Sequence, residues 1–257
     1  MRSMTGARVI RPAPRPDADR VLICLSYSGG GTAKFRSWAA ATPDHVEVAA
    51  VCYPGREGRF TEPFARNWDE LLDDVMTAIR PLTDQRPYVL FGHSLGGWVA
   101  FDAALRLVRS GARHPSALVV SACEAPVDWH LRQSRTPHPD DSDEALLSWM
   151  RRVGQLSPLV LAEPDLREIA VDLLRADMRV SRSYRHRPGD LVTVPVQVLH
   201  AAHDPAVSAE AAGRWRLVAD GPIQIEELPG EHFYTDAVWA TLPEQIAALA
   251  PAPATPI

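Results

Sequence analysis

Ser94 sits between glycines in the run Gly92-His93-Ser94-Leu95-Gly96, where an apolar stretch (PYVLFG, 87–92) hands over to residues with helical spacing (GGWVAFDAALRLVRSG, 96–111). A strand, a G-x-S-x-G turn and a helix in that order make a nucleophile elbow. The physical reason is steric. A serine lifted above the strand ends takes a strained backbone, and side chains at the flanking positions would collide, so Gly92, Gly96 and Gly97 let strand and helix approach. The following helix N-terminus leaves the Leu95 N–H free for a developing oxyanion.

An activated serine needs a base and an orienting acid, which in this type of site follow in the order Ser, Asp or Glu, His. Asp204 lies in LHAAHDPAVS (199–208), in the loop between a strand-like run and a helix, although Asp204-Pro205 also reads as a helix-start signal. His232 lies in LPGEHFYTD (228–236), after the last strand-like run. Both follow the carboxyl ends of strands, the edge that carries Ser94. His200 and His203 compete for the base, with His200 expected to pack at the end of its strand. His93 is expected to be structural, because neighbouring side chains at a sharp turn diverge. Asp177 and Asp236 are the alternative acids. The loop SYSGGG (26–31) lacks the spacing of a phosphate cradle and reads instead as a second oxyanion donor, through the N–H of Ser28 or Gly29.

The elements that must position these residues alternate along the chain. RVLICLS (20–26), HVEVAAVCY (45–53), PYVLFG (87–92), ALVVSAC (117–123), VPVQVLHA (194–201) and IQIEELP (223–229) read as strands, most of them the near-continuous apolar runs expected of buried parallel strands. Helical spacing is predicted over 67–82 with Asn67 as N-cap, over 96–111 with Gly111 as C-cap, and over 208–219 and 235–250. Alternation of this kind implies an α/β fold, a mostly parallel central sheet with helices on both faces. From about 126 to 188 no strand appears. Two or three helices are expected there instead, over 141–156 and over 163–184 with Pro164 in the first turn. Such an all-helical insertion is a natural lid. Trp149, Met150, Leu156, Leu159 and Leu161 could line an acyl tunnel or simply pack helix on helix. Residues 1–19, rich in Pro and Arg, are expected to form a flexible arm, 20–250 the domain, and 251–257 a tail.

Composition limits the rest. Hydrophobic residues make up 46% of the 257, enough for a sizeable core. The formal charge of −5 gives no reason to expect nucleic acid or an anionic membrane as a partner. Lysine occurs once, at Lys34. Cys24, Cys52 and Cys123 are widely spaced without a CxxC, which argues against a disulfide framework or a zinc site and predicts buried thiols in a reducing cytoplasm. No signal peptide and no apolar run of membrane-spanning length is apparent.

Several stretches together resemble one family. LSYSGGGTAKFRSW, YPGREGRFTEP, GHSLGGWVAFDAALRL, VSACEAP, LLRADMRVSRSY, HDPAVS and PGEHFY, from about residue 20 to 240, are similar to the stand-alone type II thioesterases of polyketide and nonribosomal peptide synthesis, within the α/β-hydrolase superfamily. YPGREGRFTEP is the specific element, because catalysis does not require it. The resemblance implies a triad of Ser94, Asp204 and His232, with backbone N–H groups of Ser28 and Leu95 as oxyanion donors. It also implies hydrolysis of acyl groups from the phosphopantetheine arm of an acyl or peptidyl carrier protein, with no cofactor or metal of the enzyme's own. Two departures stand out: Ser26-Tyr27-Ser28-Gly29-Gly30 replaces the family's Pro-Tyr/His-Ala-Gly-Gly, and Glu231 replaces a glycine before His232. The alternative on the same fold is a carboxylesterase or lipase acting on small oxoesters.

Overall fold

The computed structural model describes residues 6–251. Seven strands form one sheet: β1 (Val9–Ile10), β2 (Arg20–Leu25), β3 (Val46–Val51), β4 (Tyr88–His93), β5 (Ala117–Ser121), β6 (Val196–Ala201) and β7 (Ile223–Leu228). Their spatial order is β1-β3-β2-β4-β5-β6-β7. Every pairing is parallel except β1 on β3, where Val9 faces Val51 and Ile10 faces Ala50. The six expected strands are therefore present, and β4, which carries the serine, lies in the middle.

Strand alternation divides the core into two layers. Val21, Ile23 and Leu25 of β2 face one side with Leu90 of β4, whereas Leu22, Cys24 and Phe91 face the other. The nine helices among the described residues are α1 (Trp38–Ala41), α2 (Trp68–Thr83), α3 (Leu95–Arg109), α4 (Trp129–Arg135), α5 (Asp143–Arg152), α6 (Pro158–Ala162), α7 (Pro164–Ser183), α8 (Ala209–Gly213) and α9 (Asp236–Thr241). Asn67 caps α2 as expected, accepting from Glu70 N–H at 3.0 Å. Leu71, Leu72, Val75 and Ile79 of α2 pack with Trp98 and Phe101 of α3 on the first face. Phe35, Trp38 and Trp239 fill the second, with Trp38 Nε1 donating to Trp239 O at 2.8 Å. Gly111, at φ 68°, follows α3 in the left-handed conformation that ends many helices.

The insertion between β5 and β6 holds α4 to α7, four helices where two or three were expected. Its own small core joins Leu146 and Met150 of α5 to Val171, Leu174 and Met178 of α7. Pro164 is the first residue of α7, a position where its missing N–H costs nothing.

Three expectations need correction. The segment 1–19 is not a flexible arm over its described part. Besides forming β1, it lodges Arg15, whose guanidinium donates to the carbonyls of Ala39, Pro43 and Val46 at 2.6–2.8 Å. The two C-terminal helices are also shorter than expected. The first continues past Gly213 only as a 3-10 turn, Arg214–Leu217. The last stops at Thr241, with another 3-10 turn at Leu242–Gln245 that contains Pro243. Glycine lowers helix propensity, and proline removes a donor while clashing with the preceding turn. The expected tail lies outside the described residues beyond Pro251.

Candidate active site

Ser94 occupies the turn between β4 and α3 at φ 53°, ψ −118°, a backbone conformation that side-chain-bearing residues rarely adopt. The crowding that sequence reasoning required is present. A Cβ on Gly92 would lie 2.0 Å from Gly96 O, and one on Gly96 would lie 2.2 Å from Leu25 O. The turn is anchored by Ser94 N–H donating to Ser121 O at 2.8 Å. Ser94 thus projects from the carboxyl edge of the sheet and is 3% exposed.

The loops after β6 and β7 bring Asp204 and His232 to the same edge. His232 Nδ1 lies 2.8 Å from Asp204 Oδ2, and His232 Nε2 lies 3.1 Å from Ser94 Oγ. With Nδ1–H donating to the carboxylate, Nε2 is left to accept the serine hydroxyl proton. Asp204 Oδ1 accepts from Ala206 N–H at 2.8 Å and Val207 N–H at 3.2 Å, fixing the carboxylate. Burial alone would raise the Asp204 pKa. The hydrogen bond and charge of His232 and the two backbone donors outweigh it, and hold the group below its ordinary value.

The other candidates fall elsewhere. His93 is fully buried, with Nδ1 3.1 Å from Ser121 Oγ, and burial followed by the neighbouring His232 pushes its pKa well down. His200 is buried within β6. Asp236 pairs at the surface with Lys34 at 3.0 Å. Asp177, on the lid helix α7, is tied to the glycine-rich loop: its Oδ2 accepts from Gly29 N–H at 2.7 Å, and it pairs with Arg56 at 2.6 and 2.9 Å. The Gly29 N–H is therefore engaged. The Ser28 N–H has no acceptor among the described residues, nor has the Leu95 N–H at the start of α3. Glu231 is exposed, without a hydrogen bond or ion pair among the described residues.

A cavity of about 400 Å³ opens onto these groups, lined by Ser28, Ser94, Asp204, His232 and, from the lid, Arg132 and Trp149. Trp149 alone of the five tunnel candidates lines it. Met150 and Leu156 pack within the lid core, and Leu159 and Leu161 face solvent.

Sequence reasoning missed two residues. Arg132 of α4 places Nη2 2.9 Å from Ser94 Oγ and Nη1 3.0 Å from Glu124 Oε2, with its guanidinium over the Trp98 ring at 5.0 Å. All three side chains are buried. Glu124 falls within VSACEAP, but nothing in the pattern around Arg132 distinguishes it from the other arginines.

The PGRE stretch gains a structural role. Arg56 donates to Gly30 O at 2.7 Å as well as pairing with Asp177. Glu57 accepts from Thr32 N–H at 2.9 Å, from the Thr32 hydroxyl at 2.6 Å and from Ala33 N–H at 3.2 Å. Two consecutive residues thus clamp the loop that carries Ser28.

Comparison with known proteins gives a consistent result. The thioesterase-domain family model matches residues 20–248. Thioesterase PikA5 of Streptomyces venezuelae is 32% identical over 235 residues, covering 91% of this chain and 82% of that protein. Among solved structures, the type II thioesterase BorB from the borrelidin biosynthetic cluster superposes with a TM-score of 0.79 at 32% identity, over 96% of this chain and 99% of that one. RedJ, a thioesterase of the prodiginine pathway in Streptomyces coelicolor, gives 0.80 at 31% identity, over 91% and 95%.

Proposed function

From membership of the thioesterase family, to which this α/β-hydrolase-fold chain belongs, we propose an editing enzyme that removes acyl groups from the phosphopantetheine arm of carrier proteins in polyketide or nonribosomal peptide synthesis. The observation that carries the reading is the hydrogen-bonded line from Asp204 through His232 to Ser94, at 2.8 and 3.1 Å, on the floor of the cavity.

Ser94 Oγ attacks the thioester carbonyl as His232 Nε2 takes its proton. Asp204 holds the imidazole in the correct tautomer and stabilises its charged form. The tetrahedral oxyanion is received by the N–H groups of Leu95 and Ser28, each worth about 3 kcal/mol in sites of this kind. The C–S bond breaks and the pantetheine thiolate leaves with the proton from His232. Water, deprotonated by the same imidazole, then attacks the acyl-serine and releases the acid. These steps call on no metal or bound cofactor, because the phosphopantetheine arrives with the carrier. No helix among the described residues is long and apolar enough to cross a membrane.

The test is intact-mass spectrometry of acetyl-loaded carrier protein incubated with wild type and with Ser94→Ala. Loss of the acetyl mass with wild type alone is the expected outcome. An unchanged carrier, with longer acyl groups tried as well, would overturn the proposal and point to simple oxoesters.

A further inference from the structure

The mechanism above leaves one buried charge in contact with the nucleophile unused. Arg132 is 6% exposed and comes from α4, the first helix of the lid. Its Nη2 reaches Ser94 Oγ at 2.9 Å while Nη1 is held by Glu124 at 3.0 Å. A guanidinium has five N–H donors, and these are the two that find side-chain acceptors here. The plane is fixed by the Trp98 face beneath it, and Trp98 is itself pinned by Nε1–H donating to Glu124 O at 2.8 Å. Helix α4 is tied down in turn. Gln133 Nε2 donates to Arg182 O at 3.0 Å, and Arg182 Nη2 donates to Gln133 O at 3.2 Å. Arg132 is thus an immobile donor aimed at Oγ.

What happens to that donor when Ser94 is acylated? The alkoxyl oxygen of an ester is a much poorer acceptor than a hydroxyl, so Nη2–H loses its partner in a buried site. An unsatisfied buried donor is costly, more so when charged. An acyl group can restore the bond if it carries its own acceptor nearby. Along the chain Oγ–C1–C2–C3–O3, an oxygen on C3 folds back beside Oγ, and a donor within hydrogen-bond distance of Oγ also reaches it. Saturated chains offer nothing at that position.

The charge of that acceptor follows from Glu124. Its carboxylate already balances Arg132, so an acyl carboxylate would face a second buried negative charge across the guanidinium. A neutral hydroxyl or keto oxygen incurs no such penalty.

We propose that Arg132 is a specificity residue that reads a neutral oxygen on C3 of the acyl group, so that 3-hydroxyacyl and 3-oxoacyl thioesters are preferred over saturated ones of equal length. This rests on the thioesterase reading and adds the substrate class to it.

The test uses the full chain with N-acetylcysteamine thioesters of butyryl, 3-hydroxybutyryl and malonyl groups, each rate divided by that compound's own hydroxide-catalysed rate. Wild type is expected to favour 3-hydroxybutyryl over butyryl by about ten-fold or more in kcat/KM, the scale of one lost buried hydrogen bond. Arg132→Met should bring that ratio close to one, and Arg132→Lys should restore part of it. Because Arg132→Met leaves Glu124 without its partner, the double variant E124Q/R132M is measured beside it, with fluorophosphonate labelling of Ser94 as the check that the site is assembled. Equal wild-type rates for butyryl and 3-hydroxybutyryl would overturn the inference while leaving the thioesterase reading intact. A ratio unchanged in the variants would do the same, and a preference for malonyl would overturn the neutral-oxygen assignment. Failure of wild type to hydrolyse any of the three would overturn the thioesterase reading itself.

Discussion

Asp177→Asn is the most informative single substitution in this molecule. The carboxylate accepts three hydrogen bonds, from Gly29 N–H at 2.7 Å and from Arg56 Nη1 and Nη2 at 2.9 and 2.6 Å, and both side chains of the ion pair are almost wholly buried. Asparagine keeps the volume and removes the charge. Arg56 then becomes a buried cation without its partner, a change that costs about 3–5 kcal/mol. At about 2–4 °C per kcal/mol for a chain of this size, the melting temperature should fall by about 6–20 °C. Turnover should fall as well, because the Gly29 N–H and Arg56 together hold the loop on which Ser28 N–H must meet the oxyanion. Losing a whole oxyanion donor costs about 10²–10³ in kcat, so a displaced one should cost ten-fold or more with KM little changed. The double variant Arg56→Met/Asp177→Leu separates the two effects. Replacing both charges by apolar groups should recover most of the stability, since the uncompensated cation is gone. The Gly29 N–H would still lack its acceptor and Gly30 O its donor, so kcat should stay low. Thermal melts and steady-state kinetics on both variants decide the matter. Recovery of kcat together with stability, or an unchanged kcat in Asp177→Asn, would refute the idea that this pair positions the oxyanion loop.

Asp204→Asn should preserve the fold and lower kcat by about 10⁴, because an amide can hold His232 in the wrong tautomer; a loss below ten-fold would argue against Asp204 as the orienting acid. Burial pushes the pKa of Asp102 up to about 6, against the hydrogen bond it accepts from Trp68 Nε1 at 2.7 Å. A carboxyl raised in the folded state makes folding less favourable as pH climbs from the unfolded value towards 6, so Asp102→Asn should gain about 2 kcal/mol on wild type between pH 4 and pH 7. Urea midpoints at the two pH values check this, and a pH-independent difference would exclude it. Gly96→Ala should yield no folded protein, since its Cβ would sit 2.2 Å from Leu25 O; soluble protein melting at the wild-type temperature would contradict that geometry.

The parts of the site that could be read from the sequence are those written in local pattern. The elbow announces itself because its steric demands fall on five consecutive residues. The inner strands do so because both faces of the sheet are covered, which makes their runs nearly continuously apolar, whereas the edge strand β7 is only partly buried. Asp204 and His232 follow from chain order once the strands are placed. What stayed hidden depends on distant contacts. Strand β1 is two residues long within a Pro- and Arg-rich segment, and its neighbour Arg15 is held by carbonyls more than twenty residues away. Arg132 meets Ser94 across 38 positions of sequence and Asp177 meets Gly29 across 148, and no periodicity encodes either meeting. Sequence alone leaves Asp177 open as an alternative acid, whereas the structure bonds it to Gly29 N–H and Arg56 and puts Asp204 against His232.

Those hidden contacts change what the lid does. Three of its residues reach down to the reaction centre: Arg132 of α4 to Ser94 Oγ, Asp177 of α7 to Gly29 N–H, and Gln155, after α5, whose Nε2 donates to Ser28 O at 2.8 Å. A rigid swing of all the lid helices would break every one of these bonds and leave the Ser28 loop held by Arg56 and Glu57. Lid closure and full seating of the oxyanion loop are then coupled, because Asp177 and Gln155 hold that loop from the lid side. Helix α6 is the exception. It buries no residue and makes none of these three contacts. Removing the lid would therefore not yield a more open version of the same enzyme. It would leave Ser94, His232 and Asp204 in place on the sheet while the Ser28 loop lost both Asp177 and Gln155.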